Sequence, residues 1–154
     1  MLTMRTRYAL KALTLLAECD DRGPVLISQL SKRGEIPRKY LEAILRELKR
    51  HGILTAQRGR RGGYRLLKQP QDVSVAEVIR VLDGPLAPVP CLSRSNYRPC
   101  AECKSERACG VRLVLFDAHS AMLNLLERTS LQELVARTRA AVAAAAAAAE
   151  PSLT

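Results

Sequence analysis

Tryptophan is absent from the 154-residue chain, phenylalanine occurs once, and aromatic residues make up 3% of the sequence. That scarcity argues against an aromatic ligand cage or a base-stacking platform, which need several rings in one place. Long apolar runs are missing as well, because no segment reaches the ~18 to 20 apolar residues of a membrane span. The N-terminal apolar residues are interrupted by Arg5, Arg7, Lys11 and Glu18, and no small-residue cleavage site follows, so the segment does not read as a secretory signal. The expectation is a cytoplasmic chain with no membrane partner and reduced thiols, in which clustered cysteines are metal ligands or redox sensors rather than disulfides. Also missing are a nucleophile–base pair, a phosphate-binding glycine loop and a catalytic carboxylate constellation, so no enzyme is expected.

Apolar residues at 47% and charged residues at 26% are ordinary for a soluble domain, and the length suffices for one core. The net charge of +10 is unevenly spread: residues 1–68 hold 16 Lys and Arg against 6 Asp and Glu, whereas the remainder holds 9 of each. A polyanion partner is therefore expected at the first half. Four of the five cysteines lie within residues 91–109, in the neutral half.

Along the chain, Tyr8, Ala12, Leu13, Leu16 and Cys19 recur at helical steps, and Asp20 to Pro24 ends that helix. Cys19 reads as a small core residue. A short helix over Ile27–Arg33, closed by Gly34, precedes a third that starts at Pro37 and buries Leu41, Ile44, Leu45 and Leu48. Two helices joined by so short a turn form a helix-turn-helix, whose second helix lies in a major groove. Its polar side offers Arg38, Lys39, Tyr40, Glu42 and Arg46, with Arg38 and Lys39 nearest the helix start; Glu42 either accepts from a cytosine amine or orients an arginine. His51 follows at the helix end, toward the dipole or a phosphate. Residues Ile53–Leu67 read as a β-hairpin with a glycine-rich tip, a wing whose Arg58, Arg60 and Arg61 suit a narrow minor groove.

Ser74 and Glu77 make a capping box for a helix to about Leu82, stopped by Asp83-Gly84-Pro85. After an irregular, cysteine-bearing stretch, Val111 to about Arg128 carries two apolar sets, Val111, Leu115, Ala118, Met122 and Leu125 on one side and Leu113, Phe116, Leu123 and Leu126 on another. One small domain does not bury both, so this reads as a helix that pairs with a second copy. His119 falls on its polar part, solvated or, alternatively, a metal ligand. Ser130 and Glu133 start a last helix running into the alanines of residues 140–149, a tail expected to fray before Pro151 ends it. The organisation expected is mainly α with a small β-wing: a winged helix-turn-helix over 1–84, a cysteine-rich loop over 85–110, a dimerisation helix with the helix after it over 111–139, and an alanine-rich tail over 140–154.

Several stretches in this order resemble the IscR/NsrR/RirA family of bacterial transcription regulators. They are Met4-Arg5-Thr6-Arg7-Tyr8-Ala9-Leu10-Lys11-Ala12-Leu13, Ile36-Pro37-Arg38-Lys39-Tyr40-Leu41-Glu42-Ala43-Ile44-Leu45, Arg58-Gly59-Arg60-Arg61-Gly62-Gly63-Tyr64, Val75-Ala76-Glu77-Val78-Ile79 and the loop ending in Cys109. The resemblance covers residue 4 to about 135. It implies a homodimeric winged helix-turn-helix protein on a double-stranded operator, with an iron–sulfur cluster held in the cysteine loop in many members. The sequence departs from the family at Pro37, where serine is usual, at Arg7 and Lys11, where several members have a non-cysteine cluster ligand, and in having four loop cysteines instead of three. A fourth thiolate compensates for the lost first-helix ligand in this reading.

Cys91, Cys100, Cys103 and Cys109, spaced C-x8-C-x2-C-x5-C, are enough to ligate one [2Fe-2S] or [4Fe-4S] cluster. Cys109 also precedes the long helix, whose N-terminus favours a thiolate, and Arg94, Arg98, Lys104 and Arg107 add positive charge. The same spacing serves a structural zinc ion equally well; the resemblance favours iron–sulfur and leaves zinc or a metal-free thiol switch as alternatives. An iron–sulfur electron carrier is the rival class, but it has no use for a basic half with a wing.

Overall fold

A computed structural model describes residues 2–19 and 23–149. The expected stops at Asp20 to Arg22 and at Pro151 lie outside the described residues. The described residues form six helices and one hairpin, mainly α with a small wing as expected: α1 (Met4–Glu18), α2 (Ile27–Gly34), α3 (Arg38–Arg50), β1 (Leu54–Gln57), β2 (Gly63–Leu66), α4 (Val75–Asp83), α5 (Gly110–Arg128) and α6 (Leu131–Ala149). Single 3-10 turns occur at Pro70–Asp72, Pro90–Leu92 and Glu106–Ala108.

The core is built on α1, which packs against α2, α3, α4 and α6. Ala9, Ala12, Leu13, Leu16 and Cys19 from α1 and its cap meet Leu41, Ile44, Leu45 and Leu48 from α3, together with Leu30, Ile36, Ile53, Leu54 and Leu131. Cys19 is thus a core residue, and its sulfur accepts from Arg33 Nη1 at 3.2 Å.

The turn of the helix-turn-helix differs in detail from expectation. Gly34 is the last residue of α2, and the left-handed conformation falls on Glu35, at φ 49°. Gly34 serves close packing instead: a Cβ there would stand 2.9 Å from Ile36 Cδ1 and 3.3 Å from Leu15 Cδ1. Ser31 Oγ closes the turn by donating to Ile36 O at 2.7 Å. Pro37 is the N-cap of α3 rather than its first residue, and its carbonyl accepts from Tyr40 N and Leu41 N.

In the wing, Leu54 pairs with Leu66 and Gln57 with Gly63, leaving Arg58–Gly62 as the loop. Val25 and Tyr64 exchange two 2.8 Å backbone hydrogen bonds, which fixes the hairpin to the segment before α2. Gly63 is needed there: its φ is +144°, and a Cβ would stand 2.5 Å from Val25 O.

Both serine caps form, but only one way. Ser74 Oγ accepts from Glu77 N at 3.1 Å and Ser130 Oγ from Glu133 N at 3.2 Å. The glutamates turn to Lys68 and Arg137 instead of reaching back. Val75 N donates to Thr129 O and Leu131 N to Val73 O, both at 2.9 Å, so the starts of α4 and α6 are joined and Leu131 enters the core. α6 continues unbroken through the alanine run to Ala149, where fraying was expected: alanine's helix propensity suffices although the side chains from Arg137 to Ala148 are exposed.

Candidate functional site

The DNA-reading side chains expected from the sequence all lie on exposed surface. Arg38, Lys39, Tyr40, Glu42 and Arg46 line the outer side of α3, opposite its four buried residues. Glu42 orients an arginine: Arg38 Nε donates to Glu42 Oε1 at 3.1 Å, one helical turn apart. Tyr40 inclines against Tyr8 of α1, with ring centroids 6.3 Å apart. His51 caps α3 and its Nε2 stands 3.3 Å from Glu47 Oε1. At the wing, Arg58, Arg60 and Arg61 occupy the exposed loop. Lys39, Arg46 and these three arginines have no carboxylate partner among the described residues. Such unpaired cations on a recognition helix and the wing behind it are what a phosphate backbone neutralises.

The second site lies in the segment between α4 and α5. Cys91, Cys100, Cys103 and Cys109 line one pocket of about 350 Å³, together with Arg98, Arg112, Leu115 and Val111. All four thiols are free. The 3-10 turn over Pro90–Leu92 carries Cys91, and a 3.3 Å bond from Cys103 N to Cys100 O folds the C-x2-C pair. Cys109 is the N-cap of α5, as the sequence indicated. Hydrogen bonding to Cys100 and Cys109 pushes the Cys103 thiol up to about 12. The Cys109 thiol is lowered, first by the backbone N–H of Arg112 and then by the Cys103 side chain, because a helix start presents donors to a thiolate.

These residues suit an anionic, thiolate-ligated group. The donors are four sulfurs, the lining holds two arginines and no carboxylate, and Arg112 Nε is shielded from solvent without a hydrogen-bond partner. Among the described residues no three His, Cys, Asp or Glu side chains already converge on a point that a metal ion would fill.

Of the loop cations singled out from the sequence, Arg98 lines this pocket, whereas Arg94, Lys104 and Arg107 do not. Arg112 was missed, although its position three residues after the cysteine at the helix start was a usable signal. His119 is not brought to the cysteines. It is half-buried and lines a separate pocket of about 480 Å³ with Arg80, Arg94 and Leu123, and its Nε2 is shielded with no hydrogen-bond partner among the described residues.

The helix after the cysteines has no fully buried residue at all. α5 touches its own chain through α4 and the turn at Pro90–Leu92. Arg112, Leu115, His119, Leu123 and Leu126 form the half-buried inner face, while Val111, Val114, Phe116, Met122 and Leu125 are exposed. Leu115 therefore belongs to the inner face rather than with Val111, and Leu123 and Leu126 part from Leu113 and Phe116: with two apolar sets on one helix, the spacing alone does not assign each residue to a face. No helix among the described residues is long and apolar enough to cross a membrane.

Comparison with known proteins agrees with this arrangement. Residues 2–137 match the family model Rrf2, described as an iron-dependent transcriptional regulator. An rrf2-like regulator of the helix-turn-helix type from Rhodobacter capsulatus is 42% identical over 139 residues, covering 88% of this chain and 93% of the relative. The regulator IscR of Photorhabdus laumondii is 31% identical over 134 residues, covering 87% and 78%. Among solved structures, CymR, the global cysteine regulator of B. subtilis, superposes with a TM-score of 0.76 at 26% identity, covering 89% of this chain and 97% of that one. The chain belongs to the Rrf2 family, whose members are DNA-binding transcriptional regulators and not enzymes.

Proposed function

We propose that the protein is a homodimeric regulator that binds a palindromic operator and senses iron, redox state or nitric oxide through an iron–sulfur cluster ligated by Cys91, Cys100, Cys103 and Cys109. The observation that carries the reading is the single pocket lined by all four thiols, two arginines and no carboxylate. Sulfur donors of this kind suit iron–sulfur clusters, and Cys109 at the start of α5 is prepared for a thiolate. When bound, the cluster supplies a redox-active, chemically labile group whose loss frees its four ligands.

The chain's own residues do the rest. Arg38, Lys39, Tyr40, Glu42 and Arg46 read the major groove from α3, and Arg58, Arg60 and Arg61 hold the minor groove from the wing. The exposed apolar stripe of α5 pairs with the same stripe of a second copy, a self-complementary arrangement that sets the two recognition helices about one DNA turn, or a multiple of it, apart. Release of the four cysteines loosens a loop joined at one end to α4, which packs on α1 and α3 within the DNA-reading unit, and at the other to the pairing helix. A tenfold change in operator affinity needs ~1.4 kcal/mol of such coupling, within the usual range for linked sites.

Metal and acid-labile sulfide analysis of anaerobically purified protein tests the reading. Iron and sulfide in equal amounts, with visible absorption lost in Cys103→Ser, is the expected result; colourless protein carrying stoichiometric zinc overturns it.

A further inference from the structure

Three side chains interleave with the four cysteines and join one another. Tyr97, between Cys91 and Cys100, donates from its hydroxyl to Glu106 Oε1 at 2.7 Å. Glu106, between Cys103 and Cys109, presents its other oxygen to Arg112 Nε at 3.8 Å. That separation keeps the charge attraction but is too long for a hydrogen bond, so the shielded Nε–H has no acceptor. An unsatisfied, shielded donor is costly, and Arg112 lines the pocket that holds the four sulfurs. Neither Glu106 nor Tyr97 lines that pocket; Glu106 meets it at Arg112.

We propose that Arg112 is the cation that faces the negative charge of the thiolate-ligated cluster, and that Glu106, steadied by Tyr97, is a positioning residue that tempers this charge. The inference rests on the cluster reading above and adds a specific electrostatic consequence. One-electron reduction makes a cluster more negative, so a nearby cation favours the reduced form and raises the reduction potential, while a nearby carboxylate lowers it. Removing Arg112 and removing the charge of Glu106 must then act with opposite signs. Mere damage to the loop gives the same sign for both.

The test is a dithionite titration, with mediator dyes, of anaerobically loaded full-length protein. Arg112→Gln is expected to move the midpoint to more negative potential, Glu106→Gln to more positive potential, and Arg112→Lys to stay near the wild type. Bleaching by EDTA should be several-fold faster in Arg112→Gln than in Glu106→Gln. Should Arg112→Gln fail to hold a cluster, Glu106→Gln and Arg112→Lys still report the sign: a positive shift in the first with little change in the second supports the assignment. Shifts of the same sign in the two neutral variants, or no shift in either, overturn it while leaving the cluster reading intact. A wild-type chain that takes up no cluster overturns both, and the loading step reveals this before any variant is compared.

Discussion

Helices α3 and α5 put their apolar residues to opposite ends. In α3, Leu41, Ile44, Leu45 and Leu48 are fully buried in the chain's own core, and the charges left outside include Lys39 and Arg46, without carboxylate partners among the described residues. In α5 no residue is fully buried, Val111 and Val114 are each 69% exposed, and Arg112 meets Glu106. The first helix is complete as a piece of folded protein and incomplete electrostatically, which is the state of a surface that meets a polyanion. The second is incomplete as a piece of folded protein, which is the state of a surface that meets another apolar one.

The sharpest way to break this contrast is one substitution in each helix. Leu45→Ala should cost about 2–5 kcal/mol of stability, visible as a large fall in thermal midpoint. Leu125→Asp should leave each chain folded but convert dimer to monomer in sedimentation equilibrium, and weaken binding to a duplex selected from a random pool roughly 100-fold, about 2.7 kcal/mol. A Leu125→Asp protein that stays dimeric removes the pairing role assigned to α5.

Next in size is the wing. Replacing Arg58, Arg60 and Arg61 together by alanine should lower the slope of log affinity against log salt by about 2 to 3, as expected for that many lost phosphate contacts. An unchanged slope means that the wing arginines do not touch the backbone. At single positions on α3, Glu42→Gln frees Arg38 and should alter base preference by about 1–3 kcal/mol at one operator position, read by sequencing of selected duplexes. No change in preference would mean that the Arg38–Glu42 pair is only surface charge.

The smallest effect concerns the closure of the first region, where the end of α4 meets the start of α1. Asp83, the last residue of α4, accepts from Thr3 N at 3.0 Å and Thr3 Oγ1 at 2.6 Å. Burial pushes its carboxyl up, but the Thr3 bonds outweigh that and hold it below its ordinary value. A lowered folded-state value gives stability that is present above the ordinary carboxylate range and is lost as pH falls through the lowered value. The thermal midpoint of the wild type should therefore fall below about pH 4, and Asp83→Asn should flatten that acid limb. Identical acid limbs would remove the contribution.

Much of the first region was legible because its signals are local and periodic. The α3 stripe, the Ser74 and Ser130 caps and the glycine-bearing wing each specify one conformation, and all formed. Even there, Gly34 lies inside α2 and Glu35 takes the left-handed position after it, since the close approach of Ile36 and Leu15 to Gly34 depends on contacts that a sequence does not display. The second region was legible in its cysteines, whose gathering in one pocket follows their number and spacing. What escaped was the division of α5 into faces and the Tyr97–Glu106–Arg112 chain. A helix apolar on two sides does not show which of them turns inward, and a loop without periodicity brings Tyr97 to Glu106 and Glu106 to Arg112 with no local pattern to announce it.

The central claim is that the cysteine loop governs the basic half, and operator affinity with and without the cluster tests it most directly. Fluorescence anisotropy on one selected duplex, at fixed salt and with loaded and chelator-stripped protein, should show dissociation constants differing by about tenfold or more, ~1.4 kcal/mol, with the difference abolished in Cys103→Ser. Equal affinity in the two forms, with the cluster present in one and absent in the other, would contradict the account.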